Sequence, residues 1–204
     1  MRPEHLLRYG YTPTHPAILS ALSGSLRPDG EGVVRLLDPC CGTGAALAAL
    51  AQALRDRGAR VETYGVELEE GRAAEAARVL DHVLCADWRH VVLPERSVSL
   101  ALLNPPYDHE GGEEALERDI IRRGIEKLAP NGVAILLVPR RLLGWVSRFH
   151  FEWLALRTSP DPASPSQVIL VGRRAAESTP LPPERPLEEG FPEIPVPALQ
   201  GPAP

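Results

Sequence analysis

The chain has 204 residues, enough for one medium-sized domain, and its 44% hydrophobic and 24% charged content is that of an ordinary globular protein. No apolar run reaches the roughly 18 residues of a membrane span, and the N-terminus leads into no secretory signal, so no membrane partner and a cytoplasmic location are expected. Three cysteines, two of them adjacent (Cys40, Cys41), form no disulfide framework and no zinc spacing; they read as small packing residues in a reducing compartment, with no metal. The net charge of −5 disfavours a uniformly basic nucleic-acid binder, but much of it sits in the last 30 residues, where five glutamates face one arginine. The rest is close to neutral, and Arg122, Arg123, Arg140, Arg141, Arg148, Arg157, Arg173 and Arg174 are candidates for a basic face.

From residue 33 onward, short apolar runs alternate with helical stretches. Val33–Leu37 reads as a strand, Ala45–Arg57 as a helix, Arg60–Glu67 as a strand, Glu70–Leu80 as a helix and His82–Ala86 as a strand. Ser97–Leu103 is a fourth strand, Glu113–Leu128 a helix stopped by Asn131-Gly132, and Val133–Val138 a strand buried on both faces. Arg140–Phe149 reads as a helix, then Phe151–Arg157 and Gln167–Gly172 as strands joined by a Pro/Ser-rich loop. Strand–helix repetition of this kind gives an α/β fold, a mostly parallel sheet with helices on both faces. We expect one domain over residues 1–174 and, from Ala175, an acidic tail with nine prolines that is extended or disordered; Glu193–Pro197 is the part that packs as an extended strip if any does.

The strand ends carry the chemistry. The first runs into Asp38-Pro39-Cys40-Cys41-Gly42-Thr43-Gly44, a glycine turn at a helix start. Gly42 and Gly44 let the backbone approach a ligand closely, at the edge where open α/β sheets bind ligands. No lysine follows as in a phosphate-binding loop, and the three-glycine dinucleotide fingerprint is absent. Asp38, four positions before the first glycine, suits a ligand with an ammonium head group, and Cys40 lies in the same turn. Glu67, ending the second strand, can accept from both hydroxyls of a ribose. After the third strand, Asp87 can accept from an adenine amino group, or cap a turn, and Trp88 offers an aromatic surface.

The fourth strand ends in Asn104-Pro105-Pro106-Tyr107. An exocyclic amino nitrogen conjugated to a ring is a weak nucleophile with two N–H donors. Asn104 Oδ1 and the Pro105 carbonyl can accept one each, which favours a tetrahedral nitrogen with its lone pair free to attack. Pro105 and Pro106 fix the bend and Tyr107 can stack on the substrate plane.

Together, Asp38–Gly44 and Asn104–Tyr107 resemble the class I amino-group methyltransferases, especially the N6-adenine DNA methyltransferases of gamma motif order. The resemblance spans roughly residues 9 to 174. It implies a Rossmann-like, mostly parallel seven-stranded sheet whose last two strands form an antiparallel hairpin. It implies S-adenosyl-L-methionine (AdoMet) as cofactor, with Tyr11, Thr12 and Pro13 closing over its methionine end. It further implies methyl transfer to a planar exocyclic amino group, N6 of adenine in DNA before the alternatives: an RNA base (adenine N6 or guanine N2), a protein glutamine amide, or an AdoMet-binding non-catalytic subunit. Nucleic acid, DNA ahead of RNA, is the expected partner. Those DNA enzymes carry a separate target-recognition domain that the Pro-rich tail is too short to provide, so a partner protein supplying recognition is also considered.

Overall fold

The computed structural model describes residues 12–106, 114–162 and 166–201. Helix α1 (Pro16–Ser25) leads into a short strand β1 (Leu26–Asp29), and then β2 (Val33–Asp38), α2 (Ala45–Arg55), β3 (Arg60–Glu67), α3 (Glu70–Ala76) and β4 (His82–Cys85) follow. After a 3-10 turn at Trp88–His90 come β5 (Val98–Leu103), α4 (Glu114–Glu126), β6 (Leu128–Pro139), a second 3-10 turn, the four-residue α5 (Leu143–Val146), and the strands β7 (Phe151–Thr158) and β8 (Gln167–Arg174). The C-terminal stretch adds the two-residue β9 (Glu184–Arg185) and β10 (Ile194–Pro197).

The main sheet has the order β4-β3-β2-β5-β6-β8-β7-β9. It is parallel from β4 through β6; β8 runs antiparallel between β6 and β7. The seven expected strands are all present, and β9 adds an eighth along β7. The chain winds outward from β2 to β4 and returns to place β5 on the other side of β2, so the switch of direction lies between β2 and β5. Crevices at such points are where α/β sheets take ligands.

Strict alternation sorts the strands' side chains onto two cores. Leu36, Leu100, Leu102, Ile135, Leu137, Ile169 and Val171 face one way, under Ile18 and Leu22 of α1 and Leu47, Leu50 and Leu54 of α2. Leu37, Ala101, Leu103, Leu136, Val138, Val168 and Leu170 face the other, under Ile120, Ile121 and Ile125 of α4. In all three helices these buried residues include pairs three or four positions apart, which turns one apolar stripe onto the sheet.

The tail lies along the first of these faces as an extended strip. β10 pairs in parallel with β1, and Ile194 and Val196 are fully buried in the core under α1 and α2. Fully burying each side chain contributes roughly 1.5–3 kcal/mol. Two sequence expectations are corrected here. The helix expected over 140–149 is only a 3-10 turn and one α-turn, anchored by the fully buried Leu142 and Val146 with Leu143, Trp145 and Phe149 packed beside them. Asn131 and Gly132 do not stop α4, which ends at Glu126; they sit in an irregularity of β6 where the pairing jumps from Leu128 to Val133, with Asn131 at φ +61°. No helix among the described residues is long and apolar enough to cross a membrane.

Candidate active site

The carboxyl ends of β2, β3 and β5, the 3-10 turn after β4, and the residues leading into α1 surround one open cleft. One side of it is lined by Asp38–Cys41 and by Ala45 and Ala46, the residues that flank the glycine turn. Gly44, with φ +78°, caps α2 without a side chain, and a Cβ there would also press on Leu80 and Val79. Cys41 donates its N–H to the Val66 carbonyl at 2.9 Å, and Gly65 leaves β3 bare where a Cβ would lie 2.8 Å from Cys41 Sγ. The turn is therefore pinned against β3, and the first turn of α2, Ala45 and Ala46, opens on the cleft.

Asp38 and Glu67 sit below this turn, 3% and 5% exposed. Asp38 Oδ1 accepts from Cys40 N–H at 2.9 Å, the single hydrogen bond of that carboxylate among the described residues. Burial, joined by the nearby Glu67 charge, pushes the Asp38 carboxyl up to about 7. Glu67 is held quite differently. Oε2 accepts from Gly42 N–H at 2.9 Å, and Oε1 accepts from Glu69 N–H at 2.8 Å and from Arg72 Nη2 at 2.7 Å. The Cys40 and Cys41 thiols are raised by burial and by these carboxylates and stay neutral. As to packing, Cys41 is buried, Cys40 lines the cleft and Cys85 is exposed, so the reading of all three as buried packing residues is corrected.

Asp87 caps the 3-10 turn through Arg89 N–H and forms an ion pair with the Arg89 guanidinium, whose hydrogen bonds hold its carboxyl down at about 2. Trp88 packs into the second core while lining the cleft. Its indole Nε1 is buried without a hydrogen-bond partner among the described residues.

Asn104 lies directly beyond β5, with Pro105 and Pro106 following along the cleft wall. The Asn104 amide nitrogen faces the residues before α1, 3.4 Å from Thr14 Oγ1 and 3.5 Å from the Thr12 carbonyl, which are long, weak contacts. Thr12 and Pro13 line the same space. The structure thus gathers Thr12, Pro13, Asp38, Cys40, Glu67, Asp87, Trp88, Asn104, Pro105 and Pro106 around one cleft; Gly42 and Gly44, both at positive φ, lie in the turn between its lining residues Cys41 and Ala45 without lining it themselves. Tyr11 and Tyr107 lie outside the described residues. Sequence reading missed Thr14, Leu19, Arg72, Leu116 and Ile120, which also line it. Leu116 and Ile120 are readable as one apolar stripe of α4; nothing local marks Arg72 as buried.

Of the eight arginines that are candidates for a basic face, Arg148 is exposed and the other seven are engaged within the chain. Arg122 and Arg123 pair with Asp119, Arg140 with Glu184, Arg141 with the buried Glu117, and Arg173 with Glu152. Arg157 and Arg174 turn inward onto backbone carbonyls of Gly190 and Leu128.

The model of an uncharacterised methyltransferase family, DUF6094, matches residues 2–155. The chain belongs to this family. No curated protein matches its sequence. Among solved structures, TrmN from Thermus thermophilus is 27% identical with a TM-score of 0.63, over 85% of this chain and 52% of that one. A 16S rRNA N2 G1207 methyltransferase from T. thermophilus, solved with AdoMet and guanosine, is 22% identical with a TM-score of 0.57, over 80% and 44%. The type I restriction-modification methyltransferase subunit from Streptococcus thermophilus is 16% identical with a TM-score of 0.58, over 81% and 45%. The chain therefore spans only about half the length of these structures. Its fold is the Rossmann-like class I methyltransferase fold, whose cofactor is AdoMet.

The cleft fits that cofactor. A buried carboxylate with a single hydrogen-bond donor, Asp38, calls for a cation, and the amino-acid end of AdoMet carries one.

Proposed function

We propose that this chain transfers the methyl group of AdoMet to a planar exocyclic amino group, N6 of adenine in DNA. The carrying observation is that Asn104-Pro105-Pro106 and Asp38 line one cleft at the switch point between β2 and β5.

In this reading Asp38 holds the ammonium group, and the α2 N-terminus at Ala45 and Ala46 faces the carboxylate. Glu67 takes the ribose, Asp87 and Trp88 the adenine, and Tyr11, Thr12 and Pro13 close the methionine end. The cofactor supplies an electrophilic methyl on a sulfonium centre. Asn104 and the Pro105 carbonyl accept the two N–H groups of the substrate nitrogen, orient its lone pair, and stabilise the positive charge it gains. Tyr107 stacks on the base.

A second reading keeps the chemistry and moves it to an RNA base or a protein glutamine amide. It is favoured by the ion-paired arginines, which leave those side chains unavailable as a clamp for duplex phosphates. A partner protein that delivers the target fits the same observation.

The test is radiolabelled methyl transfer from AdoMet to DNA, RNA and total protein in parallel, with nucleoside identification, for wild type and Asn104→Ala. N6-methyladenosine in DNA, absent with the variant, supports the first reading. Label confined to RNA or protein selects the second. AdoMet binding without label anywhere leaves a non-catalytic, AdoMet-binding subunit.

A further inference from the structure

Glu67 and Arg72 form a buried ion pair, 2.7 Å apart, on the wall of the cleft. Arg72 is 2% exposed and is among the bulkiest fully buried side chains of the chain. It enters from the first turn of α3, where its own N–H donates to the capping carboxylate of Glu69 at 2.8 Å. A guanidinium is buried in this way at an energetic cost unless it is paired, and the Glu67 carboxylate supplies the partner.

The consequence lies on the acceptor side. An ionised carboxylate offers about four lone-pair sites, two on each oxygen. On Glu67 the chain itself fills three: Gly42 N–H on Oε2, and Glu69 N–H with Arg72 Nη2 on Oε1. The site that remains is on Oε2, the oxygen tied to the glycine turn. Two ribose hydroxyls on this one carboxylate would need two.

We infer that Arg72 is a positioning residue of the cofactor site, holding the Glu67 carboxylate so that a single acceptor site, on Oε2, is presented to one ribose hydroxyl. This rests on the AdoMet-binding reading given above. Arg72 touches neither the methyl group nor the substrate nitrogen; it acts through Glu67. Without it, Oε1 loses its charged donor, and the carboxylate is free to rotate.

The test is calorimetric titration of the full chain with S-adenosylhomocysteine and with its 2′-deoxy and 3′-deoxy analogues. Wild type, Arg72→Met and Arg72→Lys are compared, with thermal unfolding recorded for each. For wild type, one deoxy analogue is expected to bind about tenfold or more weaker and the other within about threefold, since one charge-assisted hydrogen bond is at stake. In Arg72→Met that preference collapses, and Arg72→Lys recovers part of it. Should Arg72→Met fail to fold, the comparison with Arg72→Lys decides, because a purely structural arginine would lower all three affinities together and leave their ratio intact. Equal losses for both analogues in wild type, or an unchanged ratio in the variants, overturns the inference while leaving AdoMet binding standing. No binding of any of the three by wild type removes the cofactor reading and the inference with it.

Discussion

The hydroxyl of Ser25, at the end of α1, donates to the carbonyl of Phe191 at 3.0 Å across a sequence separation of 166 residues. Arg27 pairs with Glu193 just beyond, and β1 and β10 continue the contact in register from Leu26 with Ile194 to Asp29 with Pro197. The Pro-rich strip thereby holds the helix that follows Thr12–Thr14, the residues lining the methionine end of the proposed site.

Ile194→Ala should therefore destabilise the chain by about 2–4 kcal/mol, the usual cost of hollowing a buried aliphatic site. Urea unfolding followed by circular dichroism reads this directly. Cofactor affinity, measured well below the unfolding midpoint, should fall as well, because α1 loses part of its seat.

The raised Asp38 carboxyl gives a pH dependence with a defined sign. An ammonium ligand needs Asp38 ionised, and without ligand the group ionises only near pH 7. Affinity for S-adenosylhomocysteine should rise about tenfold from pH 6 to pH 8 and flatten above. Asp38→Asn should bind more weakly and lose the slope, and methylthioadenosine, which lacks the ammonium, should show none. Stability without ligand runs the other way: a carboxyl raised in the folded state contributes stability at low pH that is lost as pH rises toward about 7.

Asn104→Ala should lower turnover by about 10²-fold or more, while changing the dissociation constant of AdoMet far less. Single-turnover methyl transfer alongside cofactor titration separates the two. Unchanged turnover would remove Asn104 from the catalytic assignment.

Neutralising the paired arginines should matter little for substrate. Arg122→Gln, Arg140→Gln and Arg173→Gln, assayed singly on the nucleic acid that is methylated, should leave KM within about threefold, since each charge is already met by Asp119, Glu184 or Glu152. A larger loss accompanied by a shallower salt dependence would restore these side chains as phosphate contacts.

What was legible in the sequence was what depends on local pattern. The strands alternate between two cores, α2 carries an unbroken Ala/Leu stripe, and the glycine turn and Asn104-Pro105-Pro106 announce themselves at strand ends; these place the cleft. The tail side of the molecule was harder. α1 is a ten-residue helix with three serines and a glycine, and it is stabilised by partners near residue 194 that no window of sequence brings together. Arg72 looks like any solvated arginine on a helix, because its burial is set by Glu67 across a turn and not by its neighbours in the chain. Arg140, Arg141 and Arg173 read as part of a basic patch for the same reason: their acidic partners come from the tail, α4 and β7.

The insertion of β8 between β6 and β7 bears on how the molecule is dissected. The region matched to the methyltransferase family closes at residue 155, inside β7, but among the described residues β7 is joined to β6 through β8. A fragment cut at that point would leave β6 with an open edge of hydrophobic backbone and β7 with nothing to join, a template for aggregation rather than a smaller enzyme. The stretch matched to the family and the stretch needed to close the sheet are different lengths of the same chain.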